Sequence, residues 1–138
     1  NESLRKEVKR CERYGYSLSF LMIDINRFKV INDRYSHLTG DKVLVEIAKL
    51  LKENVRGADT VVRYGGDEFL IMMPETEKVE STVNRIGEEL ETWNEEPNLI
   101  DFPLTLAMGT SRWNPEQERD VEEALKEADQ KMYEDKRK

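Results

Sequence analysis

The stretch that decides how this chain folds reads Arg63-Tyr64-Gly65-Gly66-Asp67-Glu68-Phe69. Apolar residues flank the two glycines, at positions 61–62 before them and 69–73 after them. A Gly-Gly pair between apolar runs predicts a tight β-hairpin, because glycine adopts the positive φ angles that such turns use. Asp67 and Glu68 would lie at its tip. Adjacent carboxylates beside closely approaching backbone indicate a bound cation, and a solvated acidic turn is the alternative interpretation.

Another carboxylate follows the apolar run at residues 18–23. The run predicts a buried central strand, which would end in Asp24. A carboxylate at the end of a buried strand is costly unless it is paired or bound to a metal. If this strand lies beside the hairpin, Asp24, Asp67 and Glu68 converge. Three oxygen ligands without nearby His or Cys favour Mg²⁺ or Mn²⁺ over zinc.

Composition limits the range of functions. The 138 residues predict one domain, residues 1–138, long enough for a hydrophobic core. A formal net charge of −7 argues against a nucleic-acid partner. No apolar run approaches the ~20 residues of a membrane span, and no signal-peptide pattern is present, so we expect a cytoplasmic domain without direct membrane contact. The single Cys11 fits a reducing cytoplasm and is interpreted as a core residue.

Hydrophobic periodicity predicts the order α, β, α, β-hairpin, α, β, α. This order is typical of an α+β fold in which helices cover a mostly antiparallel sheet. Asp120 and Glu123 resemble a capping box that opens the last helix. The predicted segments are a helix through residues 4–11, a strand at 18–24, a polar irregular stretch at 26–40, a helix at 41–56, the hairpin at 61–74, a helix at 79–93, a loop at 95–98, a strand at 104–108 and a helix at 121–132.

Two separated motifs in this chain resemble the GGDEF domains of the diguanylate cyclase family. Residues 65–69 resemble the signature of that family, and residues 24–41 resemble its second block, D-x-D-x-F-K-x-x-N-D-x-x-G-H-x-x-G-D. Asn26 replaces the usual second acid and Ser36 the usual glycine. The resemblance covers nearly the whole chain. It implies a ferredoxin-like fold, akin to the palm domain of polymerases and adenylyl cyclases.

The resemblance also implies a reaction. Family members join two GTP molecules into cyclic di-GMP and release two pyrophosphates, with Mg²⁺ or Mn²⁺ and as a homodimer. Asp24, the backbone carbonyl of Ile25, Asp67 and Glu68 match the metal ligands. Asp67 also matches the position usually assigned as general base for the 3′-hydroxyl, and Lys29 joins Asp67 and Glu68 in the catalytic set. Because the chain begins with Asn1, we expect it to be part of a longer signalling protein.

Substrate contacts follow from the same motifs. A carboxylate and an amide suit the guanine edge, since the carboxylate accepts from both N1–H and N2–H. Two residues that the resemblance assigns to GTP also have a purely structural interpretation. Asp41 could be an acid that stabilises a helix N-terminus, and Lys136 could be a basic residue that stabilises a helix C-terminus. Asp33 and His37 match the motif as well and are interpreted as structural. The resemblance assigns GTP contacts to Phe28, Lys29, Asn32, Asp41, Gly65, Gly66 and Lys136.

A separate R-x-x-D motif, Arg56 to Asp59, precedes the glycines at the offset that the family uses for an inhibitory product site. Arg56 could bind the Hoogsteen edge of a guanine or a phosphate, and Asp59 could accept from N1–H and N2–H. Arg63 would add a charge. The alternative is purely local, with Arg56 at a helix C-terminus and Asp59 starting a turn.

Two other functions remain open from the sequence. One is a catalytically weak module that binds GTP or cyclic di-GMP as a sensor, although such domains usually lose the hairpin acids that stand here. The other is a cyclase that makes cyclic GMP-AMP, against which Asp41 argues, because that specificity usually replaces the guanine-reading acid.

Overall fold

A computed structural model describes residues 2–96 and 99–136, and shows a four-stranded sheet with helices on both faces. The predicted α+β architecture is confirmed. One short helix, α2, is added to the predicted order. The elements are α1 (Glu2–Tyr14), β1 (Leu18–Ile25), α2 (Phe28–Arg34), α3 (His37–Glu53), β2 (Thr60–Arg63), β3 (Glu68–Pro74), α4 (Val79–Glu95), β4 (Leu106–Trp113) and α5 (Val121–Lys136).

Strand β1 is the centre of the sheet, whose order is β2-β3-β1-β4 with antiparallel neighbours throughout. All eight of its residues are buried. Leu21 and Ile23 face a core built with α3 and α4, while Phe20 and Met22 face a second core built with α1 and α5. A strand covered on both faces has no polar side to alternate with, which explains the continuous apolar run in the sequence.

The stretch at residues 26–40 was predicted to be irregular, and this prediction is wrong. It contains α2, which has only seven residues and is too short to show a helical period. It also contains the first turns of α3, which begins at His37 rather than at residue 41 because Ser36 caps it. The Ser36 hydroxyl accepts a hydrogen bond from the Thr39 N–H at 3.0 Å.

The remaining boundaries agree in part. The capping role of Asp120 is confirmed, since its carboxylate accepts a hydrogen bond from the Glu123 N–H at 2.9 Å. The strand predicted at 104–108 begins later and extends further, as β4. The predicted loop overlaps α4 at Glu95, and its residues 97–98 lie outside the described part of the chain. No helix within the described residues has the length and apolarity that crossing a membrane requires.

Cys11 is a core residue, as predicted. Its side chain is fully buried between α1 and the sheet. Burial, followed by the nearby Glu7 carboxylate, raises the pKa of its thiol to about 11, so the nucleophilic thiolate is suppressed at neutral pH.

Gly109 tests how closely α5 packs on the sheet. A Cβ at this position would lie 2.2 Å from both the Ala128 carbonyl oxygen and the Met132 nitrogen. Because these are backbone atoms, α5 would have to move, and we expect Gly109→Ala to destabilise the domain by about 1–3 kcal/mol. Gly87 in α4 has no atom near an added Cβ, so Gly87→Ala should stabilise by up to ~1 kcal/mol. Urea unfolding of both variants measures the difference, and an equal effect of the two would contradict the packing argument.

Candidate active site

The pairing of β1 with β3 brings the predicted acids to one end of the sheet. Asp24 lies opposite Glu68 in the antiparallel register. The Ile25 N–H donates to the Asp67 carbonyl oxygen at 3.2 Å, which attaches the end of β1 to the hairpin turn. The backbone pairing of β1 with β3 and with the turn therefore brings Asp24, Asp67 and Glu68 together.

Asp24 carries the main electrostatic problem of this site. Asp24 is only 6% exposed, and its Oδ1 atom is buried without a hydrogen-bond partner. The other oxygen, Oδ2, accepts a hydrogen bond from Lys136 Nζ at 2.7 Å. This bond raises the pKa of Lys136 above its usual range. A buried carboxylate oxygen without a partner is costly, and a cation would relieve it.

The hairpin acids are also held in an environment that disfavours their charge. Burial is the largest cause of the raised pKa of Asp67, followed by the adjacent Asp24 carboxylate, whose proximity and negative charge disfavour a second negative charge. Burial likewise raises the pKa of Glu68 most, and the charge of Asp24 adds to it. The charges of Asp24, Asp67 and Glu68 disfavour one another, Asp129 adds to the repulsion at Glu68, and the Lys136 ammonium offsets part of it.

The donor set fits a hard divalent cation, because it consists of carboxylates and backbone carbonyls with one orphaned buried oxygen. The present side-chain arrangement is incomplete for that purpose. Among the described residues, no group of three or more His, Cys, Asp or Glu side chains could hold an ion as it stands. Asp24 and Asp67 approach each other, whereas the carboxylate of Glu68 lies against Gly65. Ligation by all three acids would require Glu68 to turn.

The backbone conformation of the Gly65-Gly66 turn differs from the predicted one. Neither Gly65 nor Gly66 has a positive φ, so the predicted turn conformation is wrong although the hairpin is present. Gly65 lies against the Glu68 carboxylate, since a Cβ there would be 2.5 Å from Glu68 Oε1, and a larger residue would require that side chain to move. Arg63 closes the turn by donating to the carbonyl oxygens of Gly66 at 2.6 Å and Gly65 at 3.3 Å.

The residues assigned to guanine lie at the start of α3. Asp41 lines a cavity of about 350 Å³ between α3 and the hairpin, with an apolar wall. The amide of Asn32 lies against Gly40, where an added Cβ would be 2.0 Å from Asn32 Oδ1. Gly40 therefore allows Asn32 to reach the first turn of α3, next to Asp41. The lining is completed by two basic residues, Lys52 and Arg63, and by the apolar wall of Leu44, Val45, Ala48, Val61 and Phe69.

The phosphate-assigned residues separate into two groups. Lys29 is exposed in the first turn of α2, and Phe28 packs against the core below it. Lys136 reaches the site from the end of α5 and pairs there with Asp24, while its assignment as a phosphate contact stays a prediction. Of the predicted GTP contacts, Lys136, Gly65 and Gly66 thus lie at the carboxylates, while Asn32 and Asp41 lie at the α2–α3 junction.

The R-x-x-D motif forms a closed local pair. Arg56 follows the end of α3, and its guanidinium binds the Asp59 carboxylate at 2.7 Å and the Pro74 carbonyl at 2.6 Å. The side chain of Asp59 is 1% exposed and also accepts from the Arg56 N–H at 2.8 Å. Arg63, by contrast, is engaged with the hairpin turn at the other end of β2.

Sequence reasoning missed the segment that supports α2. Asn26 donates its side-chain amide to Thr105 Oγ1 at 2.9 Å, and Arg34 forms an ion pair with Asp101 at 3.1 Å. These contacts join residues more than sixty positions apart, and no local pattern in the sequence signals them.

Comparison with known proteins decides the family. The family model described as "Diguanylate cyclase, GGDEF domain" matches residues 1–138. The chain belongs to the diguanylate cyclase GGDEF-domain family. Diguanylate cyclase DosC of Escherichia coli K12 is 37% identical over 137 residues, which cover 97% of this chain and 29% of that protein.

Solved structures of GGDEF proteins show the same fold. Diguanylate cyclase SiaD from Pseudomonas aeruginosa, in complex with its activator SiaC, superposes with a TM-score of 0.85 at 30% identity, covering 99% of this chain and 52% of that one. The GGDEF domain of DgcB from Caulobacter crescentus, in complex with c-di-GMP, gives a TM-score of 0.84 at 25% identity and covers 99% and 81%. The chain therefore spans less than a third of DosC and about half of the SiaD chain.

Lys136 provides a test of the site that does not depend on turnover. In Lys136→Met the buried Asp24 loses its partner, and we expect a loss of about 1–2 kcal/mol, at the low end for charged hydrogen bonds because Lys136 is partly exposed. Millimolar Mg²⁺ or Mn²⁺ should restore much of the loss by binding Asp24. Thermal unfolding with and without the ion measures this. Lys131→Met, which removes an i,i+4 pair on the same helix, is the control and should change little. A loss in Lys136→Met that no divalent ion restores would count against a cation at Asp24.

Proposed function

We propose that this GGDEF domain condenses two GTP molecules into cyclic di-GMP. The observation that carries the proposal is the meeting of Asp24 with Asp67 and Glu68 at one end of the sheet, set by the β1–β3 register. The orphaned Asp24 oxygen and the raised pKa values of Asp67 and Glu68 support a site that takes a cation. The relatives named as diguanylate cyclases support the reaction.

The chemistry requires in-line attack of a 3′-hydroxyl on an α-phosphorus, and it depends on positioning and charge neutralisation rather than on covalent catalysis. Bound Mg²⁺ or Mn²⁺ would supply charge neutralisation at the phosphates and activation of the hydroxyl. Asp24, Asp67, Glu68 and the carbonyl of Ile25 would hold it. Asp67 would accept the proton of the attacking hydroxyl, since it lies in the turn where a substrate can approach.

The substrate would bridge the two parts of the site. The guanine would enter the cavity beside α3, where Asp41 would accept from its N1–H and N2–H, and Asn32, whose amide lies against Gly40, would approach the same base from α2. Lys29 and the backbone at Phe28 would hold phosphates from one side, and Lys136 from the other. A metal ion bound to Asp24 would neutralise its carboxylate and leave Lys136 available for a phosphate. Lys136 would then pair with Asp24 when no metal is bound and with the substrate when the metal is bound.

The active unit would be a homodimer. One such site holds one GTP, and the product joins two, so two domains must face each other. Specific activity that rises with enzyme concentration, together with dimer in light scattering, would support this. A constant specific activity of a monomer over a wide dilution range would contradict it.

Product inhibition through Arg56 and Asp59 is proposed from the motif and its offset. The c-di-GMP complex of DgcB concerns a different protein and supports only that a GGDEF domain can bind this dinucleotide. In this chain Arg56 is already bound to Asp59 and to the Pro74 carbonyl, so a ligand would have to displace at least one of these contacts. Arg63 would contribute only if its bonds to the turn opened.

Removing a site carboxylate tests turnover. We expect Asp67→Asn to lower cyclic di-GMP formation from GTP and Mg²⁺ by about a hundredfold or more, because the ligand charge and the proton acceptor are both lost. Product chromatography measures the rate. Glu77→Gln, beyond the far end of β3, is the control and should retain parent activity. If neither the parent nor Asp67→Asn makes product, although Asp67→Asn still binds GTP, the domain is a sensor rather than a cyclase.

A separate test concerns inhibition. Cyclic di-GMP at micromolar levels should slow the parent enzyme, and Arg56→Ala should raise the inhibitory concentration by about tenfold or more, with each variant's inhibition measured against its own uninhibited rate. Arg85→Ala is the matched control, because Arg85 is an arginine close to Arg56 that also donates to a backbone carbonyl, that of Asn54 at 2.9 Å. Progress curves of the three proteins give the result. Unchanged inhibition of Arg56→Ala would place the inhibitory site elsewhere.

A further inference from the structure

Helix α2 is attached at both of its ends to one short segment, residues 101–105, which precedes β4. We call this segment the brace. It lies far from α2 in sequence, and it is not part of the carboxylate cluster or of the cavity beside α3. The contacts it makes are specific in direction and chemistry, which a loop that merely connects α4 to β4 would not need.

At the N-terminal end of α2, the brace holds Asn26 and Arg27. The Asn26 N–H donates to the Thr105 carbonyl at 3.0 Å, and the Asn26 side-chain amide donates to Thr105 Oγ1 at 2.9 Å. The guanidinium carbon of Arg27 lies over the ring of Phe102, 5.4 Å from its centre. In this chain the Asn26 amide is the donor and the Thr105 hydroxyl oxygen is the acceptor.

Arg27 is where such support is required. Its backbone has φ 61° and ψ 29°, a left-handed conformation that is uncommon for a residue other than glycine. Its carbonyl oxygen nevertheless accepts from the N–H of Val30 at 3.0 Å and of Ile31 at 3.3 Å, which starts α2. A conformation of this kind costs ~1 kcal/mol or more and persists only when its surroundings fix it.

At the C-terminal end of α2, the brace holds Arg34 and Tyr35. Arg34 forms an ion pair with Asp101 at 3.1 Å, and its guanidinium carbon lies 5.9 Å from the centre of the Phe102 ring. The Tyr35 hydroxyl donates to the Asp101 carboxylate and accepts from the Asp101 N–H at 2.8 Å. Phe102 therefore lies under two arginines from opposite ends of the same seven-residue helix.

We infer that residues 101–105, and Phe102 above all, position α2 for nucleotide binding. The inference rests on the proposed function, because α2 carries Lys29 and Asn32, which are assigned to the phosphate and the guanine of GTP. The hydrogen bonds, ion pair and ring contacts described above join the brace to Asn26, Arg27, Arg34 and Tyr35. It fixes where α2 begins and ends, so that both side chains are in place before the nucleotide arrives. Binding then loses less conformational entropy than it would with a mobile helix.

The test is Phe102→Leu, which keeps an apolar side chain but removes the ring face that both arginines contact. We expect the Kd for 3′-deoxy-GTP with Mg²⁺, which binds but cannot cyclise, to rise about three- to tenfold, as two cation–π contacts are lost. In steady-state assays KM should rise by a similar factor, with kcat changed less than twofold. Phe102→Tyr keeps the ring face and should restore parent values. Tyr14→Leu removes a 64% exposed aromatic on α1 and should change nothing.

A second readout does not involve nucleotide. Hydrogen exchange of the α2 amides in the free protein should become faster in Phe102→Leu and in Arg34→Met, and should stay unchanged in Tyr14→Leu. The double variant Phe102→Leu/Arg34→Met should show less than the sum of the two single effects, because both remove the same support. If Phe102→Leu does not fold, Arg34→Met alone carries the test, since it leaves the ring in place.

The outcomes separate the two claims. If the parent does not bind 3′-deoxy-GTP, the proposed function fails, and faster exchange in the variants would then assign the brace a purely structural role, which overturns the inference. If the parent binds but the variants bind equally well, the brace does not position α2 for nucleotide. Weaker binding with a raised KM, rescue by Phe102→Tyr and faster α2 exchange together support the inference.

Discussion

The antiparallel register of β1 with β3 is the constraint on which the site depends. It places Asp24 opposite Glu68 and ties Ile25 to the Asp67 carbonyl. A shift of one residue would exchange the two faces of β1, and Phe20 and Met22 would then leave the core they share with α5. Because β1 is buried on both faces, such a shift would cost the packing of the whole domain. The position of the carboxylates is thus fixed by hydrophobic burial rather than by the carboxylates themselves.

The carboxylates in turn determine the electrostatics of this end of the sheet. Their burial raises the pKa values of Asp67 and Glu68, and Asp24 keeps an oxygen without a partner. Lys136 offsets part of this charge from the last turn of α5, which is held close to the sheet at Gly109. The packing of α5 and the charge of the site are therefore coupled through one helix. The carboxylate and carbonyl oxygens at this end of the sheet form a donor set of the kind that hard divalent cations prefer.

Two arginine contacts show how the surrounding loops are held. Arg56 links the turn before β2 to the end of β3 through Asp59 and the Pro74 carbonyl, and Arg63 closes the hairpin turn. Both bind backbone carbonyls as well as, or instead of, acids. A guanidinium suits this task because it offers several donors in a fixed plane. Any ligand that recruits Arg56 has to compete with contacts that stabilise the hairpin bearing Asp67.

The sequence by itself determined the family, the α+β class, the central strand and the three converging acids. Each of these rests on a local pattern, namely a continuous apolar run, a Gly-Gly pair or a motif at fixed spacing. Only the tertiary structure decided that Gly65 lies against the Glu68 carboxylate, where α2 lies, and that Lys136 pairs with Asp24. Gly65 has no positive φ, and its contact is with the Glu68 carboxylate, which lies 2.5 Å from where a Cβ would be. Helix α2 is too short for a period, and it is held by residues 101–105, whose contacts with it span more than sixty positions. Such contacts depend on which segments the sheet brings together, and no local pattern encodes them.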